Sequence, residues 1–485
     1  MKDKRRGFKL AAMIDIGSRA IRMDVVELAD GEKPVLLESL EREVDLGREV
    51  FRTGEVPPGG IALVCDIMAD CRRKLDEYRT ATVRASASGA LCEAANAELV
   101  AELMYQAGGV AVELSDRSEE CRRFAAAVRR ALSAACVPTD SRVVAAHVGA
   151  WSLTLLGIEA GELRFCEVLP VGSDRLPEGL RDGELARAVA DRLAGSGVRR
   201  RLTDILAGPG PVLVVAAGEG ARRIAGIGDD AGEMPIFTPG EFRERAAKFP
   251  GAGTAETAGA VGFLLDVCGG DRVAVPGFTT RGSLPPQEAA EDPFFGVDLA
   301  SMSSALGRRF AVDREVAERR AVVAAELWKK LRTRQPMPER IRALLDASAR
   351  LYDVGNCFDG ADTGERSAWM IGRLLLPGVG SAELRLIAAS VRFAKSGLDT
   401  PPVDAPEVAA EHRPPLFRMA ALLRTADALA SGDRFSGMRL NISGGELVIT
   451  PRIPATGAER AELARGAELF MRVFGLKPRL GEVSL

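Results

Sequence analysis

Asp15, Gly17 and Ser18 close the apolar run Ala11-Ala12-Met13-Ile14, and hydrophobicity resumes at Ala20-Ile21-Arg22-Met23. A carboxylate at the end of a buried strand is costly unless it is paired or holds a cation. A glycine two residues on lets a tight turn bring backbone N–H groups against an anion. These types at this spacing fit a loop that binds phosphate with a metal ion beside Asp15; an Asp-x-Gly turn also closes ordinary hairpins. A second candidate is Gly218-Glu219-Gly220, where a buried strand at 211–217 turns into a helix start whose N–H groups can receive an anion. Glu219 between the two glycines works against that, since a carboxylate repels phosphate.

The elements that must position these residues follow from hydrophobic periodicity. Residues 8–46 read as three strands joined by two turns, the second at 30–34. Ile61, Val64, Cys65, Met68 and Leu75 recur at helical spacing, so 60–78 is a core-facing helix. A strand at 82–86, a helix over 89–106, a strand at 110–114 and a helix over 118–132 follow, and this alternation predicts an α/β domain. Residues 142–168 then repeat the opening, with strands at 143–147, 152–158 and 163–168 and a turn at Gly149-Ala150-Trp151. An internal duplication explains the repeat; two unrelated hairpins are the alternative. A last strand and turn occupy 273–282, and the proline- and acid-rich stretch from 285 reads as a linker. Helices are expected at 302–310, 313–333, 337–352, 366–375, 381–395 and 415–429. A hairpin at Gly444-Gly445, a helix at 458–474 and a final segment from 478 suggest a small α+β cap.

At 485 residues the chain is too long for one core, and about two to three domains are expected. The net charge of −3 provides no global basic field for nucleic acid or a membrane surface. No stretch is long enough to span a bilayer. The basic start Met1-Lys2-Asp3-Lys4-Arg5-Arg6 precedes an apolar run broken by Asp15 and lacking a cleavage pattern, so a cytoplasmic protein is expected. Eight scattered cysteines with no Cys-x-x-Cys, and only two histidines, leave no basis for a Cys/His metal cluster. The thiols are expected to be reduced and mostly buried.

The opening loop resembles the first phosphate loop of the exopolyphosphatase / guanosine pentaphosphate phosphohydrolase (Ppx/GppA) family, Asp-x-Gly-Ser-Asn-Ser. The resemblance continues in order through Leu46-Gly47-Arg48-Glu49 with Thr53-Gly54, then Ala87-Ser88-Gly89-Ala90-Leu91-Cys92-Glu93-Ala94-Ala95-Asn96, then Glu113-Leu114-Ser115-Asp116-Arg117-Ser118-Glu119-Glu120-Cys121-Arg122. It implies an α/β fold of two actin-like (ASKHA, ribonuclease H-like) domains, 8–138 and 139–284, each giving one phosphate loop to a shared cleft. A linker at 285–298, an all-α HD-like domain at 299–432 and a small α+β segment at 433–485 would follow. The implied activity is hydrolysis of terminal phosphoanhydrides of polyphosphate or guanosine pentaphosphate. Glu120 would orient or deprotonate the attacking water, or else simply be one of two solvated acids at the positive end of a helix. Asp15 would hold Mg²⁺, with Gly17, Ser18, Gly149, Ser152, Gly218 and Gly220 as phosphate contacts. The partners implied are polyphosphate or guanosine penta- or tetraphosphate and a second copy of the chain, with neither nucleic acid nor membrane.

Several positions depart from that pattern. Arg19 and Ala20 stand in the first loop where the family has Asn and Ser. The second loop, Asp-x-Gly-Gly-Gly-Ser in the family, reads His147-Val148-Gly149-Ala150-Trp151-Ser152. His147 would contact phosphate, ligate a softer metal or be a buried strand-end imidazole; Trp151 would stack a base or block the cleft. Cys92 replaces a clamp arginine, and Arg19, Arg117, Arg222 and Arg223 either compensate or are surface residues. In the HD-like part Asp353 and Asp427 lack their histidines, and two carboxylates do not make a dinuclear site. That part is expected to be structural, extending a polyanion channel or a dimer interface. These departures set a second expectation beside the hydrolase: an impaired member that binds or senses a phosphorylated ligand.

Overall fold

A computed structural model of the chain describes residues 9–29, 35–80, 82–176, 179–206, 210–228, 234–251, 253–278, 293–358, 362–397, 408–430, 432–435 and 437–482. Two compact units, Met1–Asp292 and Pro293–Leu485, make it up.

The first half of unit one runs β1 (Lys9–Ile16), β2 (Ala20–Leu28), β3 (Val35–Glu43), α1 (Leu46–Thr53), α2 (Pro58–Tyr78), β4 (Thr82–Ala87), α3 (Ala90–Glu93), α4 (Ala97–Gly108) and β5 (Val112–Leu114). Its sheet has the order β3-β2-β1-β4-β5. The first three strands are antiparallel neighbours, and β4 and β5 add in parallel. Helix α5 (Arg117–Ala134) leads to the second half: β6 (Arg142–Val148), β7 (Leu153–Glu159), β8 (Glu162–Leu169), α6 (Asp182–Gly195), α7 (Val198–Leu206), β9 (Val212–Ala217), α8 (Glu219–Ala225), β10 (Ile236–Phe237), α9 (Pro239–Lys248), α10 (Thr254–Cys268) and β11 (Arg272–Ala274). Its sheet reads β8-β7-β6-β9-β11-β10, so the first five strands repeat the connectivity of the first half.

The duplication extends to the turns. Asp15 and His147 are each the penultimate residue of a central strand, β1 and β6. In the first turn Gly17 N donates to Ala20 O at 2.9 Å; in the second Gly149 N donates to Ser152 O, also at 2.9 Å. Both glycines have only 3.2 Å between an added Cβ and that carbonyl, so any larger residue would push the turn open. Each central strand is covered by helices. Ile14 and Ile16 join Val64 and Met68 of α2 and Val100 of α4 in one core, and Val144 and Ala146 join Val189 of α6 and Leu264 of α10 in the other. This explains why β6 is an almost unbroken apolar run: a central strand buried on both faces loses the usual alternation.

Four expectations are corrected. The helix expected over 89–106 is broken into α3 and α4, because Asn96 leaves the helical path to bind a distant segment. Its Oδ1 accepts from Val56 N at 2.9 Å, its Nδ2 donates to Val56 O at 2.8 Å, and Ala95 N donates to Gly54 O at 2.9 Å. Helices α1, α6, α7, α9 and α10 and the short strand β10 fill stretches for which no element was expected. The end of the linker expected at 285–298 is helical, since 295–298 form the first turn of a helix, while 285–292 and the turn at 279–282 lie outside the described residues. Cysteines 121 and 166 are not reduced thiols but a disulfide, with Cα atoms 6.5 Å apart, tying α5 to β8. The other six are free.

Unit two contains α11 (Phe295–Arg309), α12 (Arg314–Leu331), α13 (Glu339–Arg350), α14 (Thr363–Ile371), α15 (Ser381–Lys395) and α16 (Arg413–Leu429). The small sheet follows as β12 (Arg439–Ser443), β13 (Glu446–Thr450) and β14 (Lys477–Leu480), with α17 (Gly457–Phe474) before its last strand. Gly466 of α17 lies where an added Cβ would be 3.2 Å from the Arg424 stem of α16, so the cap packs on the helical body rather than standing apart. Among the described residues no helix is long and apolar enough to cross a membrane.

Candidate active site

Strand β1 delivers Asp15, only 9% exposed, to the end of the first sheet. Ser18 Oγ then accepts from Ala90 N at 3.0 Å, fastening the turn to the start of α3. Gly89, at φ +66°, is required opposite: a Cβ there would press on Ser18 Oγ and approach Trp151. Helix α5 begins with Asp116 as N-cap, its carboxylate accepting from Ser118 N at 2.9 Å and Glu119 N at 3.0 Å. The two glutamates behind the cap diverge. Glu119 takes Arg122 at 2.7 Å and Arg123 at 2.9 Å. Glu120 turns toward the second sheet, where the Ser152 hydroxyl donates to Oε1 at 2.9 Å and the Thr154 hydroxyl donates to the same oxygen.

Glu120 is therefore not one of two solvated acids on a helix. Burial pushes its carboxyl above the ordinary range, and the Thr154 and Ser152 hydroxyls offset that only in part. Asp15, Gly17, Ser18, Glu120, Gly149 and Ser152 together line one cavity of about 90 Å³ between the two halves. Gly218 and Gly220 are not among the residues that line it. Gly218, at φ +108°, leaves room for Val148 O and the His147 ring, while a Cβ on Gly220 would strike the backbone of Gly253 where α8 meets α10. Both are close-packing glycines.

His147 lines the same cavity with its ring centroid 5.7 Å from that of Phe124. Trp151 also lines the cavity, but it is only 5% exposed and belongs to the core of the first half, so most of its indole is given over to packing. Its ring meets Phe51 edge-on at 6.5 Å, and the Arg175 guanidinium lies 3.7 Å above the ring centroid. Arg175 also donates from Nε to Trp151 O at 3.1 Å. On the other loop Arg19 Nε donates to Asp174 Oδ1 at 2.7 Å, and Gly47 makes room for that carboxylate. Arg19 and Trp151 thus fasten one half to the other.

The arginines expected near the loops are engaged away from the cavity. Arg117 pairs with Glu93 at 3.0 Å, Arg223 with Glu219 at 2.7 Å, and Arg222 is buried with Nη1 donating to Phe278 O at 3.4 Å. Cys92 donates its thiol to Ala87 O at 3.2 Å, and burial pushes its pKa up to about 12. Arg123, Ser88 and Ser115 line the cavity and were not singled out in the sequence. The two serines follow the ends of β4 and β5, where ligands collect at the carboxyl ends of parallel strands. Arg123 is three residues beyond Glu120, one turn along the same helix face.

The helical unit holds a second polar cluster. Arg320, 2% exposed, donates to Asp427 Oδ1 at 2.9 Å, to Asp353 Oδ2 at 2.6 Å and to Ala349 O at 3.1 Å. Lys395 Nζ donates to the other Asp353 oxygen at 2.9 Å. Burial alone pushes the Asp353 carboxyl up, but Arg320 and Lys395 together hold it below the usual range. The two aspartates expected to be isolated are thus joined by a guanidinium. Arg320→Met leaves both carboxylates without that cation, and a loss of about 3 kcal/mol in the unfolding free energy of the full chain is expected in urea titrations.

Among the described residues no group of three or more His, Cys, Asp or Glu can hold a metal by itself. The oxygen donors at the cavity suit a hard cation such as Mg²⁺, which is commonly held by one or two carboxylates plus phosphate oxygens. Asp15 meets that requirement, and a nitrogen donor at position 147 does not.

Comparison with known proteins gives two findings. Residues 300–440 match the family model described as Ppx/GppA phosphatase, domain III. Among solved structures the chain is similar to the Aquifex aeolicus Ppx/GppA family member at 20% identity, covering 57% of this chain and 95% of that one with a TM-score of 0.46. It is also similar to an exopolyphosphatase from Cytophaga hutchinsonii at 14% identity, covering 56% and 95% with a TM-score of 0.47.

Proposed function

We propose that the chain, whose residues 300–440 match the Ppx/GppA phosphatase domain III model, is a phosphatase of that kind and hydrolyses the terminal phosphoanhydride of polyphosphate or guanosine pentaphosphate. The observation that carries the reading is Glu120, turned into the cavity that the Asp15-Gly17-Ser18 loop also lines and held there by hydroxyls of the opposite half. Both hydroxyls bond Oε1, so Oε2 is the oxygen left to receive a proton.

The terminal phosphoryl group enters between the two turns, where Gly17 and Gly149 let backbone approach its oxygens. Water beside Glu120 gives its proton to the carboxylate as its oxygen bonds to phosphorus. The bridging P–O bond breaks, releasing orthophosphate and a chain one unit shorter. Mg²⁺ at Asp15, when bound, would neutralise charge on the phosphate oxygens. A cavity of about 90 Å³ is small beside the roughly 300–1,000 Å³ of pockets that enclose a drug-sized ligand. It therefore suits the end of a chain rather than a whole nucleotide. A cytoplasmic location and self-association through the helical unit go with this reading.

The test is orthophosphate release from long-chain polyphosphate and from guanosine pentaphosphate with Mg²⁺. Release from at least one is expected, and tight binding of both without release would establish the binding-only role instead.

A further inference from the structure

We infer that Arg123 is the cation that takes hold of the terminal phosphoryl group, doing from α5 what Cys92 cannot do from the end of α3. The inference rests on the proposed hydrolase reading, and it names a residue which the family pattern does not. Among the described residues that line the cavity, Arg123 is the one lysine or arginine. A phosphoryl group needs such a partner, because the carboxylates of Asp15 and Glu120 face the same space.

The surroundings of Arg123 show how it is held ready. Its Nε donates to Glu119 Oε1 at 2.9 Å, and its Nη1 reaches across to Ser86 Oγ at 3.2 Å, on the residue paired with Asp15 across the β1–β4 ladder. The guanidinium therefore lies beside the strand end that carries Asp15. Its counter-ion is also shared: Arg122 bonds Glu119 through two nitrogens, each at 2.7 Å. When Arg123 turns toward phosphate, Glu119 keeps a bidentate partner, so no carboxylate is left uncompensated. The exchange replaces one charge-assisted hydrogen bond by another. Arg19, Arg117 and Arg223 do not line the cavity.

The test is titration calorimetry of the full chain with tripolyphosphate and Mg²⁺. Arg123→Ala is expected to weaken binding about 10- to 100-fold. Arg123→Lys should recover only part, because an ammonium keeps the charge but not the fork. Added guanidinium chloride at low millimolar concentration should restore affinity to Arg123→Ala and leave the wild type unchanged, a response that a merely structural arginine would not give. Glu119→Gln, which removes the competing carboxylate, should tighten binding. Equal affinity of wild type and Arg123→Ala would overturn the inference while leaving the hydrolase reading intact. A wild type that binds no tripolyphosphate would overturn both. If Arg123→Ala unfolds, weaker rather than tighter binding by Glu119→Gln contradicts the inference by itself.

Discussion

Glu120→Gln is expected to lower turnover of polyphosphate by about 10²- to 10⁴-fold, the range associated with loss of a positioned general base, while making the protein more stable at neutral pH. The second half follows from burial. The Glu120 carboxyl titrates above its ordinary 4.5 because it is desolvated, so the native state binds this proton more tightly than the unfolded chain does. The stability that this confers is complete below pH 4.5 and is lost as pH climbs through the raised folded value. Glutamine carries no proton to lose and can still accept from Ser152 and Thr154. The melting temperature of the variant should therefore gain on that of the wild type as pH rises from 4.5 to 7.5. Wild-type activity should climb over the same window, because only the ionised carboxylate is a base. A variant that turns over as fast as the wild type would place Glu120 outside the chemistry, and one less stable than the wild type at pH 7.5 would contradict the burial argument.

Trp151→Ala is expected to cost about 3–5 kcal/mol, in the range for a large aromatic removed from a core. Three groups lose a partner together: the core residues of the first half, the Phe51 ring and the Arg175 guanidinium. Because the side chain comes from the second half, the damage should not be uniform. Hydrogen exchange should rise in α1 and α3, which flank the site of insertion, well before it rises in β6 or β9. It follows that the triple change His147→Asp, Ala150→Gly, Trp151→Gly removes a structural fastening, the Trp151 indole. That triple variant should unfold at lower denaturant than the wild type. A triple variant as stable as the parent would show that the indole contributes little to holding the halves together.

The contrast between Trp151 and Gly149 marks how far the sequence could be read. Both turns were legible because each is short, sits between apolar strands and obeys a local rule: glycine where an added Cβ would stand 3.2 Å from a carbonyl oxygen. The duplication was legible for the same reason, since strand patterns recur at two places. That Asp15 and Glu120 would meet in one cleft was legible from motif and order. Trp151 was not, because the core that buries it belongs to the other half and its cationic neighbour, Arg175, is distant in sequence. The break before α4 depends on an Asn96–Val56 pairing 40 residues apart, and the Cys121–Cys166 bond spans 45. Arg320 lies 33 and 107 residues from its two aspartates. Periodicity reports which face a residue belongs to; it carries no information on which distant polar group will meet it. At Gly218 and Gly220 glycine at a helix start signals close approach, and the approaching group that the fold itself supplies is protein backbone.

The central claim is that water, activated by Glu120, attacks the terminal phosphorus in the cavity between the two turns. The measurement that addresses it most directly is the isotope content of orthophosphate released from long-chain polyphosphate in H₂¹⁸O with Mg²⁺. Every released orthophosphate should carry one ¹⁸O, the remaining chain should carry none, and Glu120→Gln should suppress both release and label together. Label in the remaining chain, or release that persists undiminished in Glu120→Gln, would contradict the account.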